Sequence, residues 1–104
     1  MTVTLDQTLA ALADPNRRQV IEILCAQPLP AGELARRIGL SPAALSRHLR
    51  VLKTLGMISE VPLHTDARVR VYGLRPQPMA DLKVWLGHTE TLWTRQVERF
   101  KSDA

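Results

Sequence analysis

The segment from Leu40 to Lys53 constrains this chain most, because it combines a helix start, an apolar stripe and a basic side. Ser41 is a favourable N-cap, and Pro42 follows at the first helical position, where a missing N–H does no harm. Apolar residues recur along one side at helical spacing: Leu45, Leu49 and Leu52. The segment predicts an amphipathic helix that packs on a core and ends at Gly56.

The opposite side of this helix begins with small side chains and continues with cations. The small residues are Ala43, Ala44 and Ser46, and the cations are Arg47, Arg50 and Lys53. Small side chains let a helix backbone approach base edges, and the cations can reach the phosphates beside the groove. We therefore predict a recognition helix that enters the major groove of DNA.

The net charge of +4 is confined to one part of the sequence. Residues 1–40 and residues 76–104 each carry four basic and four acidic side chains, whereas residues 41–75 carry six basic and two acidic ones. Such a concentration is typical of a nucleic-acid-binding surface, although a solubilising surface with chance clustering gives the same pattern.

The length of 104 residues predicts a single domain over residues 1–104. No apolar run approaches the roughly 20 residues needed to span a bilayer, and no basic-then-apolar leader opens the sequence. A single cysteine cannot form a disulfide within the chain, which fits a reducing compartment. We therefore expect a cytoplasmic protein without a membrane partner.

Three helices are predicted ahead of the recognition helix. They cover about residues 4–13, 15–26 and 31–38, and Asp14-Pro15 opens the second of them. Leu29, between two prolines, can pair as a very short edge strand. Gly39 lies in the tight turn between the third helix and the recognition helix, which is the spacing of a helix-turn-helix.

Two strands are predicted after the recognition helix, over residues 58–62 and 69–73, with a polar loop at 63–68. A helix-turn-helix followed by a hairpin is a winged helix. The predicted fold class is therefore mainly α with a small β-hairpin wing, in the order α-α-(β)-α-α-β-β-α. Arg68 at the hairpin tip and Arg70 on its second strand can reach phosphate or a minor groove.

Arg17 and Arg18 lie in the first turn of the second helix, where cations oppose the helix dipole. Their presence suggests phosphate contact, and Arg17 is included among the predicted DNA-binding residues. A solvated surface pair is the alternative.

A last helix is predicted at about residues 79–101, separated from the wing by Pro76 and Pro78. Its wide apolar stripe has no other element to cover it, which favours a subunit interface shared with the first helix. The predicted dimer contacts are Leu5, Leu9, Leu82, Trp85, Leu86, Leu92, Trp93, Val97 and Phe100. A ligand pocket lined by the two tryptophans is the alternative.

Several motifs between about Leu9 and Trp85 resemble, in the same order, those of ArsR/SmtB-type winged-helix repressors. They are Ala-Ala-Leu-Ala-Asp-Pro-Asn-Arg-Arg at 10–18, Glu-Leu-Ala at 33–35, Leu-Ser at 40–41, Ser-Arg-His-Leu-Arg-Val-Leu at 46–52, and the wing segments 56–58 and 71–74. The resemblance implies a homodimeric repressor on an imperfect inverted repeat, with dimerisation through the first and last helices.

Position by position, the resemblance places DNA contacts on Ser41, Pro42, Ala43, Ser46 and Arg47, with Arg50 toward the backbone. Many relatives carry a glutamine at the position of Pro42, so the resemblance does not extend to the operator sequence.

The metal sites of such relatives are not matched by this sequence. Residues 31–35 hold no thiol, Asp81 lacks a histidine two residues later, and the residue three positions after His88 is a threonine. We expect no metal and no cofactor. A small-molecule effector is an open alternative, and it could regulate DNA binding only if it had different affinities for two conformations of the dimer.

The remaining candidate residues have structural interpretations. Cys25 is interpreted as a small buried residue rather than a redox sensor. His48 is interpreted as a histidine bonded within the helix-turn-helix rather than a base contact. His64 and Asp66 are assigned to the wing tip as solvated or close to DNA, and His88 to the surface.

These features together predict a sequence-specific transcriptional regulator that binds double-stranded DNA and represses transcription. The alternative is a winged-helix adaptor whose basic surface binds an acidic protein. An enzyme is not predicted, because no Ser/His/Asp set, paired carboxylates in a cleft, or phosphate-cradling glycine loop is found in the sequence.

Overall fold

The computed structural model describes residues 4–62, 65–66 and 68–103, and it has the predicted winged-helix order. The elements are α1 (Leu5–Ala11), α2 (Pro15–Leu24), β1 (Leu29–Pro30), α3 (Ala31–Ile38), α4 (Pro42–Thr54), β2 (Ile58–Val61), β3 (Val71–Leu74) and α5 (Pro76–Asp103). The predicted fold class, mainly α with a small β wing, is confirmed.

Side-chain caps define the helix starts that the sequence predicted. The Asp14 carboxylate accepts hydrogen bonds from the backbone N–H of Asn16 at 2.8 Å and of Arg17 at 3.2 Å. The Ser41 hydroxyl accepts one from the N–H of Ala44 at 3.2 Å. These bonds satisfy donors that a helix start leaves unpaired, so α2 and α4 begin at their predicted positions.

Glycines with positive φ follow the C-terminal ends of both helices of the helix-turn-helix. Gly39 has φ of +80° and ends α3, and Gly56 has φ of +77° just beyond α4. The N–H of Met57 reaches the carbonyl of Leu52 at 2.9 Å, which closes the end of α4 in a Schellman arrangement. Both turns need a left-handed residue, which glycine supplies without a steric penalty.

The core lies where α2, α3 and α4 meet the sheet. Its fully enclosed apolar side chains are Val20, Leu34, Leu45, Leu52 and Ile58. The stripe predicted on α4 is thus buried, and the opposite side of that helix is left to solvent.

The sheet has the order β1-β3-β2, and all pairs are antiparallel. In this register Tyr72 of β3 lies between Leu29 of β1 and Glu60 of β2. The predicted pairing of Leu29 is confirmed. β1 ends at Pro30, and Pro62 follows the last residue of β2.

The second wing strand begins later than predicted. The strand was expected to begin at residue 69. That residue instead lies in a turn, in which the N–H of Val69 donates to the carbonyl of Asp66 at 3.0 Å. The strand pairs with β2 only from Val71 onward. Alternation of apolar residues continued into the turn, so it did not mark this boundary.

The last helix begins at Pro76 rather than after Pro78. Both prolines fit in the first turn, because the first N–H groups of a helix have no partner within it. Pro78 is fully buried and Leu82 is 7% exposed. Leu82, predicted as a dimer contact, is therefore packed within its own chain.

Candidate nucleic-acid interface

The exposed side of α4 carries the residues that the sequence assigned to DNA. Ser41, Pro42, Ala43, Ser46, Arg47 and Arg50 are all exposed, opposite the buried leucine stripe. The first half of this side presents only small side chains. A helix of this shape can bring its backbone close to base edges.

Arg47 and Arg50 lie on the exposed side of α4 without an ion-pair partner in the described parts of the chain. Their guanidinium groups are therefore available to phosphates or base edges. Arginine suits both acceptors because its donors form a planar fork.

A carboxylate links the end of α4 to the wing. The ammonium Nζ of Lys53 donates to Glu60 Oε1 at 3.2 Å, and Nη1 of Arg70 donates to the same oxygen at 3.3 Å. Glu60 thus bridges two cations that lie far apart in sequence. The strand pattern placed Arg70 on one side of the wing, but it gave no signal for this bridge.

Arg68 forms a separate ion pair within the wing turn. Its Nε and Nη2 donate to the two carboxylate oxygens of Asp66 at 3.2 and 3.1 Å. The Arg68 side chain is 90% exposed. It therefore projects from the wing with its charge partly balanced, and the predicted neighbour His64 lies outside the described residues.

A shallow concave surface, the basic cleft, lies between α4, β3 and the start of α3. It is lined by Ala31, Ser46, Leu49, Arg50, Lys53, Arg70 and Tyr72. Three of these residues are cations, of which two lie in α4 and the third, Arg70, directly precedes β3. Arg50 and Arg70 were predicted separately as DNA contacts, and the fold brings both to this one surface.

Arg17 and Arg18 both donate hydrogen bonds to carbonyls at the end of α1. Arg17 donates from Nε to the carbonyl of Ala11 and from Nη2 to that of Ala10, both at 2.9 Å. Arg18 donates from Nη1 to the carbonyl of Leu12 at 2.7 Å. These carbonyls lie at the end of a helix, where cations are stabilising. The structure thus shows a role for both arginines within the chain, and the contact of Arg17 with DNA stays a prediction.

Two carboxylates near the helix-turn-helix hold lowered pKa values. The N–H of Arg17 is the main group lowering the pKa of Asp14, followed by the N–H of Asn16 and the charge of His48. Hydrogen bonds from Arg36, and then from Arg37, lower the pKa of Glu33. Both carboxyl groups therefore stay ionised at neutral pH and stabilise the elements that position α4.

The structure changes two of the single-residue interpretations. Cys25 is exposed and not buried, because it lies at the C-cap of α2, where the chain leaves the core. His48 is half-buried, and its ring makes no hydrogen bond with any described residue, unlike the predicted bonded histidine. Its link to α2 is electrostatic, through Asp14.

Metal ligands do not gather in the described ranges, where no group of three or more His, Cys, Asp or Glu residues could hold an ion. Asp81, one candidate, accepts a hydrogen bond from Nε2 of Gln77 at 2.8 Å. None of the helices in these ranges is long and apolar enough to cross a membrane.

The outer part of α5 carries an exposed apolar face. We define this apolar face as Trp85, Leu86, Leu92, Trp93, Val97 and Phe100, whose exposed fractions run from 38% to 69%. The inner part of α5 contacts α1, and the helix extends beyond it, so that the chain measures 63 Å along its longest axis. Leu9 of α1 is also 44% exposed, whereas the predicted contact Leu5 is half-buried.

Comparison with known proteins gives a consistent result. Residues 14–60 match the family described as "Bacterial regulatory protein, arsR family". The HTH-type transcriptional regulator Rv2034 of Mycobacterium tuberculosis is 42% identical over 90 residues, which cover 86% of this chain and 78% of that protein. The transcriptional repressor SdpR of Bacillus subtilis is 27% identical over 82 residues, which cover 79% of this chain and 88% of that protein.

A solved structure shares the fold. The crystal structure of an ArsR family transcriptional regulator, RHA00566, superposes with a TM-score of 0.75 at 30% identity. The match covers 86% of this chain and 96% of the other.

Proposed function

This chain belongs to the ArsR family of bacterial transcriptional regulators, and on that premise we propose that it is a homodimeric repressor that binds an inverted-repeat operator in double-stranded DNA. Its relatives are transcriptional regulators and not enzymes. One of them is named a transcriptional repressor, which supports repression here.

The exposed side of α4 is the observation that carries DNA binding. Small side chains occupy its first half, and Arg47 and Arg50 follow without ion-pair partners among the described residues. A surface adapted only to an acidic protein would not need the slim first half. The proposed base contacts are Ser41, Pro42, Ala43, Ser46 and Arg47, with Arg50, Arg68 and Arg70 toward phosphates.

The apolar face of α5 supports the homodimer. An exposed apolar surface with two tryptophans, on the helix that also contacts α1, is typical of a subunit interface. A two-fold dimer of this kind would present two copies of α4 to successive major grooves, about 10 base pairs apart.

Fluorescence anisotropy tests the DNA function directly. The full chain is titrated with labelled DNA from upstream of its own gene and with a scrambled duplex of equal length, over a salt series. Specific binding should exceed nonspecific binding by at least about 10³-fold. Equal affinities at every salt concentration would reject specific repression, and the absence of any complex at low salt would favour an adaptor that binds an acidic protein.

A further inference from the structure

The basic cleft has the composition of an anion site, and two of the cations that line it, Lys53 and Arg70, are bonded to the carboxylate of Glu60. We propose that it receives one phosphate of the DNA backbone and that Glu60 occupies the place of this phosphate in the free protein. The proposal rests on the proposed DNA binding, and in it Glu60 competes with the DNA phosphate for the same cations.

A carboxylate oxygen of Glu60 lies between two cations, as an oxygen of a bound phosphate would. One carboxylate oxygen accepts from Lys53 of α4 at 3.2 Å and from Arg70 beside β3 at 3.3 Å. Arg50 lines the same cleft without an ion-pair partner in the described parts of the chain. Three cations therefore line the cleft, and two of them share a single carboxylate oxygen.

Tyr72 provides an independent indication. Its side chain lines the cleft and is only 9% exposed, yet its hydroxyl has no hydrogen-bond partner in the described ranges. Every fully buried polar side-chain atom in these ranges does have a partner, so this hydroxyl reaches solvent at the cleft. A free hydroxyl donor beside three cations fits an anionic oxygen as its acceptor.

Exchange of Glu60 for a phosphate requires little loss of stability. The side chains of Lys53, Glu60 and Arg70 are 54%, 39% and 68% exposed. Exposed ion pairs of this kind contribute little to folding. A DNA phosphate brings a full charge and releases condensed counterions when cations neutralise it. Glu60 thus holds Lys53 and Arg70 in position and at the same time lowers the affinity for DNA.

The variant Glu60→Gln tests this, with Glu22→Gln as a control of equal charge on the exposed side of α2. Anisotropy is measured with nonspecific duplex over a salt series. For Glu60→Gln we expect about three- to tenfold tighter binding at low salt and a log K against log salt slope steeper by about 0.9. Glu22→Gln should keep the slope of the unmodified chain.

Whether Glu60→Gln binds DNA more tightly or more weakly decides whether a phosphate replaces Glu60 or Glu60 only stabilises the wing. If Glu60→Gln binds DNA more weakly, or no differently from Glu22→Gln, Glu60 is a brace for the wing and the proposal is overturned while DNA binding stands. If no variant binds any duplex at low salt, the proposed function itself fails.

Tyr72→Phe gives a second measurement, which removes only the hydroxyl. Because the hydroxyl has no partner in the described residues, the melting temperature should not change. Affinity for operator and scrambled duplex should fall alike, by about three- to tenfold. Unchanged affinity would exclude a contact between the hydroxyl and DNA.

Inorganic phosphate at constant ionic strength distinguishes a DNA phosphate from a free anion. NMR shifts of Lys53 and Arg70 that saturate at submillimolar phosphate would assign a free-phosphate site and overturn the proposal. We expect only weak, unsaturated shifts, because a DNA phosphate is held in the cleft by the rest of the interface.

Discussion

The guanidinium Nε of Arg17 donates a hydrogen bond of 2.9 Å to the carbonyl oxygen of Ala11, the last residue of α1. A cation in the first turn of α2 thus stabilises the end of the preceding helix. α1 has only seven residues, too few to be stable by itself, and it depends on such contacts. The bond connects the helix that contacts α5 to the helix that packs on α4.

Arg17→Ala should lower the free energy of unfolding by about 2 kcal/mol, because two charge-assisted hydrogen bonds are lost from a mostly buried side chain. Arg17→Lys keeps the charge but not the fork, so it should lose part of this stability. Urea unfolding followed by circular dichroism measures both. An alanine variant with unchanged stability and weaker DNA binding would contradict this structural role and support the predicted contact of Arg17 with DNA.

Arg47→Ala should reduce discrimination between operator and scrambled duplex by about 1–3 kcal/mol, because a base contact is lost. Arg68→Ala is the matched comparison. It should weaken binding to both duplexes alike and reduce the salt slope by less than about 0.9, since Asp66 already balances part of its charge. The opposite assignment of effects would place the wing on bases and α4 on phosphates.

Trp93→Glu should convert the dimer to monomer at micromolar concentrations, because a carboxylate would be buried in the interface. Val84→Glu is the control. Val84 is 73% exposed and lies nine residues before Trp93, about two and a half turns, so it faces the opposite way. Sedimentation velocity measures the mass of both variants. A dimer that survives Trp93→Glu would exclude the apolar face of α5 as the interface.

Acid should destabilise the chain through Asp14 and Glu33. Their folded pKa values lie below the ordinary carboxyl range, so the stability they contribute is complete above about pH 4.5 and is lost as the pH falls through the folded values. Asp14→Asn keeps the cap but not the charge. Its melting temperature should be lower than that of the unmodified chain at pH 7, and the difference should shrink toward pH 2. A constant difference over this range would show that the charge of Asp14 contributes nothing.

Local signals predicted the helix-turn-helix closely. Ser41, Gly39 and Gly56 act through their own backbone positions, so the boundaries of α4 could be read without tertiary information. The start of α5 could not be read in this way, because Pro76 and Pro78 fit either a linker or a first helical turn. Packing of Pro78 against the rest of the chain decides between them.

Side-chain roles that depend on distant partners were not predictable. A cation in a first helical turn suggests a phosphate until the carbonyls of Ala10 and Ala11 are known to lie beside Arg17. Glu60 is one of only two acidic residues in the basic segment 41–75, and only the pairing of β2 with β3 sets it between Lys53 and Arg70.

The prolines at the sheet edges have a consequence for how copies of this chain can associate. Pro30 removes a donor from the outer strand β1, and Pro62 directly follows the last residue of the other outer strand, β2. Addition of a further strand, a common route from an exposed sheet to fibrils, is therefore disfavoured at β1 and beyond the end of β2. The chain can therefore expose the apolar face of α5 while its sheet remains a poor template for aggregation.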